Sequence, residues 1–116
     1  MIAMKIFTNS VAIINGSRDD YVKFRCNNYT YNVMCKLHEM GFFGRIQRKE
    51  DICLLRRNSF KKIYLLSKPS IRRYVKNNEL YRHNIGFVLI NTNRGILTLR
   101  ETVDKGIGGE LILRYY

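Results

Sequence analysis

The sequence predicts an α+β protein: an N-terminal α/β unit with two helices on a small antiparallel sheet, then a C-terminal β-rich unit with a short helix. Three observations carry this. Apolar residues recur at helical spacing in two early segments. Period-two alternation, or a short unbroken apolar run, marks most of what remains. The single proline, Pro69, sits in a polar stretch where the pattern changes, which divides the chain into units 1–66 and 67–116.

Taken in order, residues 4–14 carry Phe7, Val11 and Ile14 on one helical face and stop at Asn15-Gly16. Residues 21–26 alternate, with Val22, Phe24 and Cys26 facing one way and Lys23 and Arg25 the other, as in a strand with one wet face. Helical spacing returns through Tyr29, Val33, Leu37 and Met40, and Gly41 is the expected stop. Residues 42–48, 52–57 and 61–66 read as strands, and the turn-like Asn58-Ser59 predicts that the last two form a meander. In the second unit, 71–75 is a short strand and 76–84 is polar, irregular or a turn of helix. Residues 87–90 form an apolar strand. Thr98 and Glu101 have the spacing of a capping box, opening a short helix that must end before Gly106. Residues 111–115 are the last strand. No internal repeat occurs.

Charge is the dominant bulk property. The 116 residues hold 21 Lys+Arg against 9 Asp+Glu, a formal net charge of +12. Twelve of the basic residues lie between positions 45 and 82, against three acids there, Glu50, Asp51 and Glu79. A polyanionic partner follows, since each phosphate neutralised releases counterions. The alternatives are a merely solvated basic face or an anionic membrane surface, for which no basic amphipathic helix is evident. No run approaches the roughly 18 apolar residues of a membrane span, and the N-terminus lacks the features of a targeting segment.

Reactive chemistry finds little foothold. Cys26, Cys35 and Cys53 are odd in number and form no Cys-x-x-Cys pair, and His38 and His83 are distant from each other. Idle thiols in a reducing compartment are expected, with no metal and no cofactor. No nucleophile lies in a motif with a base, so no enzyme and no small-molecule substrate is expected.

Three stretches invite a binding role. Asn91-Thr92-Asn93-Arg94-Gly95 is either a plain turn or an exposed tip whose amides, hydroxyl and guanidinium could read the shallow minor groove of RNA. Residues 106–110, Gly-Ile-Gly-Gly-Glu, lack the ending of a phosphate loop. They read as a tight turn through which Gly108 and Gly109 admit RNA backbone, with Glu110 bracing the loop or its neighbours. In residues 67–74, Lys68 and Arg72 suit phosphates and Tyr74 can stack on a base or ribose, unless the stretch is only a linker with a core tyrosine. Lys61, Lys62, Arg73 and Arg100 are further candidate phosphate contacts.

In this order and spacing the three stretches resemble the family of the eighth protein of the bacterial-type small ribosomal subunit. Its Ser-Arg-Pro-Gly-x-Arg-x-Tyr pattern is matched by Ser67-Lys68-Pro69-Ser70-Ile71-Arg72-Arg73-Tyr74, followed by Glu79-Leu80. Its Ser-Thr-Ser-x-Gly tip falls on residues 91–95, its Thr-x-Arg on Thr98-Leu99-Arg100, and its Gly-x-Gly-Gly-Glu on 106–110. The resemblance implies a non-enzymatic assembly protein whose C-terminal unit grips the central domain of small-subunit ribosomal RNA beside neighbouring ribosomal proteins. By motif it carries RNA contacts to Ser67, Lys68, Pro69, Tyr74, Asn91, Thr92, Asn93, Gly95, Gly108, Gly109 and Glu110. The departures are Asn for Ser at 91 and 93, Ser70 for glycine, and Ala12 and Ile14 where the family tends to carry arginines. Abundant Ile, Asn, Lys and Tyr with a single proline point to an AT-rich, organellar gene, mitochondrial before plastid, with a bacterial cytoplasm as the other setting. The alternative function is a free-standing regulator that binds a messenger RNA.

Overall fold

The structure, a computed structural model, describes residues 2–57, 62–83 and 87–115, with only the backbone of Ile2 and Ala3. It forms two compact units, Met1–Lys61 and Lys62–Tyr116.

Unit 1 is built from α1 (Ile2–Gly16), β1 (Tyr21–Arg25), α2 (Asn28–Glu39), β2 (Phe43–Lys49) and β3 (Ile52–Arg57). The strands form an antiparallel sheet in the order β1-β3-β2. Phe7, Val11 and Ile14 of α1 and Val33 and Leu37 of α2 are buried, as are Val22, Phe24, Cys53 and Leu55 on one face of the sheet. The side-chain oxygen of Asn27 caps α2 by accepting the Thr30 N–H at 2.8 Å. Gly41, at φ +82°, ends the helix: its N–H reaches the His38 carbonyl while that of Phe42 reaches Leu37 at 2.9 Å. Cys26 and Cys53 correct the expectation of idle thiols. Phe24 lies opposite Cys53, so Cys26, two residues on, shares its face, and the two sulfurs are joined with Cα atoms 6.0 Å apart. Cys35 remains free.

Unit 2 comprises β4 (Ile63–Leu65), β5 (Tyr74–Val75), a 3-10 helix (Asn77–His83), β6 (Phe87–Thr92), β7 (Gly95–Thr98), α3 (Leu99–Asp104) and β8 (Gly109–Tyr115). The sheet runs β4-β8-β6-β7, with β5 also on β8. β8 is its spine. Residues Glu110, Leu111, Ile112 and Leu113 are buried in succession, as a strand covered on both faces requires. Leu80, Val88, Ile90 and Leu111 form one buried cluster.

Three expectations need correcting. The β3–β4 meander does not form, because Ile63 pairs with Tyr115 and Leu65 with Leu113, which assigns β4 to the second sheet; the Asn58-Ser59 link lies outside the described residues. The strand expected over 71–75 shrinks to Tyr74–Val75, since Lys68 and Ile71 bridge each other across a turn. Finally, Gly95–Thr98 is a strand that the sequence reading missed. The capping box holds: Thr98 Oγ1 accepts the Glu101 N–H at 3.2 Å, and Glu101 Oε1 accepts the Thr98 N–H at 3.1 Å. Among the described residues no helix is long and apolar enough to cross a membrane.

Candidate nucleic-acid interface

Three stretches far apart in sequence meet at one end of the unit 2 sheet. The register brings them together. β8 runs between β5 and β6, so Asn91 stands opposite Glu110, and Glu110 opposite Tyr74. Residues 67–73 lead into this row through β5, and the β6–β7 turn leaves it beyond Asn91.

Glu110 is the fixed point of the row. The residue is 4% exposed, and the Arg72 guanidinium grips both carboxylate oxygens, Nη2 to Oε1 at 2.7 Å and Nε to Oε2. A buried carboxylate needs such a partner, and the two-pronged geometry fixes its orientation as well as its charge. The bracing expected of Glu110 is therefore directed at Arg72. Arg72, which the sequence offered to phosphate, is half-buried with its guanidinium held by this carboxylate.

The loop before β5 is fastened in the same manner. Ser67 is buried, and its Oγ accepts the Arg73 N–H at 2.9 Å. The Lys68 and Ile71 backbones exchange bonds of 2.7 and 3.0 Å, closing a tight turn around Pro69 and Ser70. What this leaves outward is Lys68, Ser70, Ile71, Arg73 and above all Tyr74, which is 70% exposed.

The β6–β7 turn is held by one hydroxyl. Thr92 Oγ1 donates to the Gly95 carbonyl at 2.8 Å and accepts the Arg94 N–H at 3.0 Å. Gly95 adopts φ +103°, the left-handed conformation that the turn needs. Asn93 and Arg94 then project from the tip, both exposed, while Asn91 and Thr92 are half-buried.

Gly108 and Gly109 are explained by the protein's own packing. A Cβ on Gly108 would lie 2.3 Å from the Val75 carbonyl oxygen, and one on Gly109 equally close to that of Asn91. The backbones they admit are β5 and β6. Asn77, which the sequence reading passed over, secures the glycine loop: its Nδ2 donates to the Ile107 carbonyl at 3.0 Å and to that of Thr102 at 3.4 Å. Its only sequence signal was a polar side chain in a segment read as irregular.

Lys62, Arg73 and Arg100 are exposed, and Lys61 lies outside the described residues. The local field is positive. His83 titrates below its ordinary 6.5, first because it is partly withdrawn from solvent, then because Arg114, Arg82 and Arg73 disfavour its positive charge. Among the described residues no group of three His, Cys, Asp or Glu side chains could hold a metal ion. The arrangement offers one exposed ring, a rigid two-residue tip and cations, a set suited to stacking and phosphate contact.

Comparison with known proteins places the sequence in a family. A family model for ribosomal protein S8 matches residues 7–116. The chain belongs to the ribosomal protein S8 family. Among S8 relatives, the small ribosomal subunit protein uS8c of Marchantia polymorpha is 33% identical over 105 residues, covering 78% of this chain and 80% of that protein. The small ribosomal subunit protein uS8 of Bifidobacterium longum subsp. infantis is 41% identical over 56 residues, 47% of this chain. That match spans only 42% of the bifidobacterial S8 protein's length. The uS8 of Buchnera aphidicola is 43% identical over 49 residues, 40% of this chain.

Proposed function

We propose that this protein is a structural constituent of the small ribosomal subunit, binding the central domain of small-subunit ribosomal RNA and supporting assembly and translation. The observation that carries the reading is the convergence of residues 67–74, 91–95 and 106–110 at one end of the unit 2 sheet, within an S8-family chain. Tyr74 is the stacking surface, and Asn93 and Arg94 are the side chains that enter the groove. Lys62, Lys68, Arg73 and Arg100 neutralise phosphates. Ser67, Arg72, Thr92, Gly108, Gly109 and Glu110 serve the contact by fixing its shape, and Pro69 by stiffening the turn. The role assigns no reaction to the protein. Its partners are ribosomal RNA and neighbouring subunit proteins. The named relatives are bacterial and chloroplast proteins, so a ribosome of bacterial descent is the setting. These relatives lend the mitochondrial preference no support.

The test is sedimentation of the native protein through a gradient with and without magnesium. Co-migration with small-subunit RNA that is lost when the particle collapses supports the role; a light, free peak overturns it in favour of the messenger-RNA regulator. Replacing both Asn93 and Arg94 by Ala should weaken binding to the isolated RNA at least tenfold, and unchanged affinity would remove the tip from the interface.

A further inference from the structure

The outer face of the unit 1 sheet has no place in the role above. β1, β3 and β2 turn their inner face to the buried core residues, and the register fixes what stands on the other. Tyr21, Arg56 and Arg45 form one row, Lys23, Leu54 and Gln47 the next, and Arg25, Ile52 and Lys49 the third. None of the three strands contains an acidic residue, so five cations share this face. Asp51, in the β2–β3 turn, lies 3.7 Å from Arg25, with both side chains well exposed and the pair screened by solvent.

Two features indicate that the face is shaped for a partner. Arg45 lies directly opposite Arg56, and like charges paired across strands destabilise a sheet. Folding alone gives no reason to keep that pair. The centre, moreover, is aliphatic: Leu54 is 37% exposed, and with Ile52, Lys23, Gln47 and Lys49 it lines an open groove of about 690 Å³. An apolar centre ringed by charge is the anatomy of a protein-binding patch. A sheet that binds single-stranded RNA carries aromatic rings at its centre for bases to stack on. Here the only ring among the nine residues of the three rows, Tyr21, is in an outer row with the Arg56 guanidinium 6.0 Å from its centroid.

We propose that this face docks an acidic, amphipathic protein segment, with an apolar side chain in the Leu54 groove and carboxylates against Lys23, Arg45 and Lys49. The cations would steer the encounter and set the register, while the groove supplies apolar burial.

The inference goes beyond the ribosomal role and draws on it only for the particle in which to look. The photo-cross-linking residue p-benzoylphenylalanine is introduced at position 54 in one sample and at position 94 in another. Both proteins are assembled into small subunits, irradiated, and the adducts mapped. Position 54 should give a protein adduct within a segment rich in Asp and Glu. The charge reversals Lys23→Glu and Lys49→Glu should lower its yield at least tenfold while circular dichroism shows the fold intact. An RNA adduct, no adduct, or a yield indifferent to those reversals would overturn the proposal. Position 94 reports separately: failure to cross-link RNA there counts against the ribosomal-RNA contact and leaves the outcome at position 54 unaffected.

Discussion

Two surfaces of this protein carry polar side chains in opposite ways. At the end of the unit 2 sheet, most polar groups are bonded to one another: Arg72 to Glu110, Ser67 to Arg73, Thr92 to both ends of its own turn, Asn77 to the glycine loop. On the outer face of the unit 1 sheet, Lys23, Arg45, Lys49 and Arg56 stand exposed around two aliphatic side chains. The first surface is rigid and presents few outward groups; the second is a broad charge on long, mobile stems. A partner read by shape needs the former, because a displaced ring or tip loses its contacts. A partner drawn in by charge tolerates the latter.

The largest test of that contrast is to break the Arg72–Glu110 pair. Replacing Glu110 with Ala removes the buried carboxylate that the Arg72 guanidinium grips. The unfolding free energy should fall on the order of 3 kcal/mol, as measured by urea denaturation, with RNA affinity falling in parallel. A loss below about 1 kcal/mol would mean that the pair orders nothing.

Next in size is Gly109→Ala, whose Cβ would press on the Asn91 carbonyl oxygen, a backbone atom with little room to yield. About 2 kcal/mol of stability should be lost, in the range of overpacked interiors. Gly16→Ala is its control, since no atom lies within 4 Å of the added Cβ. There Ala should be neutral or gain several tenths of a kcal/mol.

On the unit 1 face the expected effect is smaller and of opposite sign. Arg45→Thr removes one of two like charges facing each other across the strands. It should leave stability unchanged or raise it by up to about 0.5 kcal/mol. A clear destabilisation would make Arg45 a structural residue and blur the contrast between the surfaces.

The smallest effect concerns pH. His83 is held below its ordinary value of 6.5 by burial and three arginines. The unfolded chain therefore takes up its proton first as pH falls. The unfolded state binds more protons in that window, so stability is full above 6.5 and declines as pH drops below it. The melting temperature should show a shallow acid-side fall that His83→Gln reduces, and an unaltered profile would show that His83 does not drive it.

How much of this was legible in the sequence depended on distance along the chain. α1 and α2 were visible in the spacing of Phe7, Val11 and Ile14 and of Val33 and Leu37, and Gly41 and Gly106 marked helix ends because their positive φ is local chemistry. The Thr98–Glu101 box was equally local. Pairings were hidden where they joined remote residues. Nothing near Ile63 reveals that its partner is Tyr115, and nothing near Cys26 singles out Cys53. β7 escaped because Ile96 and Leu97 are too short a run to register as a strand. At the candidate site the sequence shows the three stretches but not the contacts among them. Nothing near Arg72 reveals the Glu110 carboxylate that it holds, and nothing near the two glycines reveals the β5 and β6 backbones packed against them. The unit 1 face was half visible: Lys23 and Arg25 read as a wet side, but only the register adds Arg45, Lys49 and Arg56.

The central position of β8 also sets an order in time. β5 pairs with Gly109 and Glu110, and β4 and β6 with residues out to Tyr115, so none can take its place in the sheet until its part of β8 has been synthesised. α1, α2 and the β1-β3-β2 sheet close within the first 57 residues and are under no such constraint. A chain emerging from the N-terminus forward will therefore carry a complete unit 1 while the strands of unit 2 still wait for their spine. The surface proposed to bind RNA therefore forms after unit 1 is complete, and an RNA met before then has nothing rigid to grip.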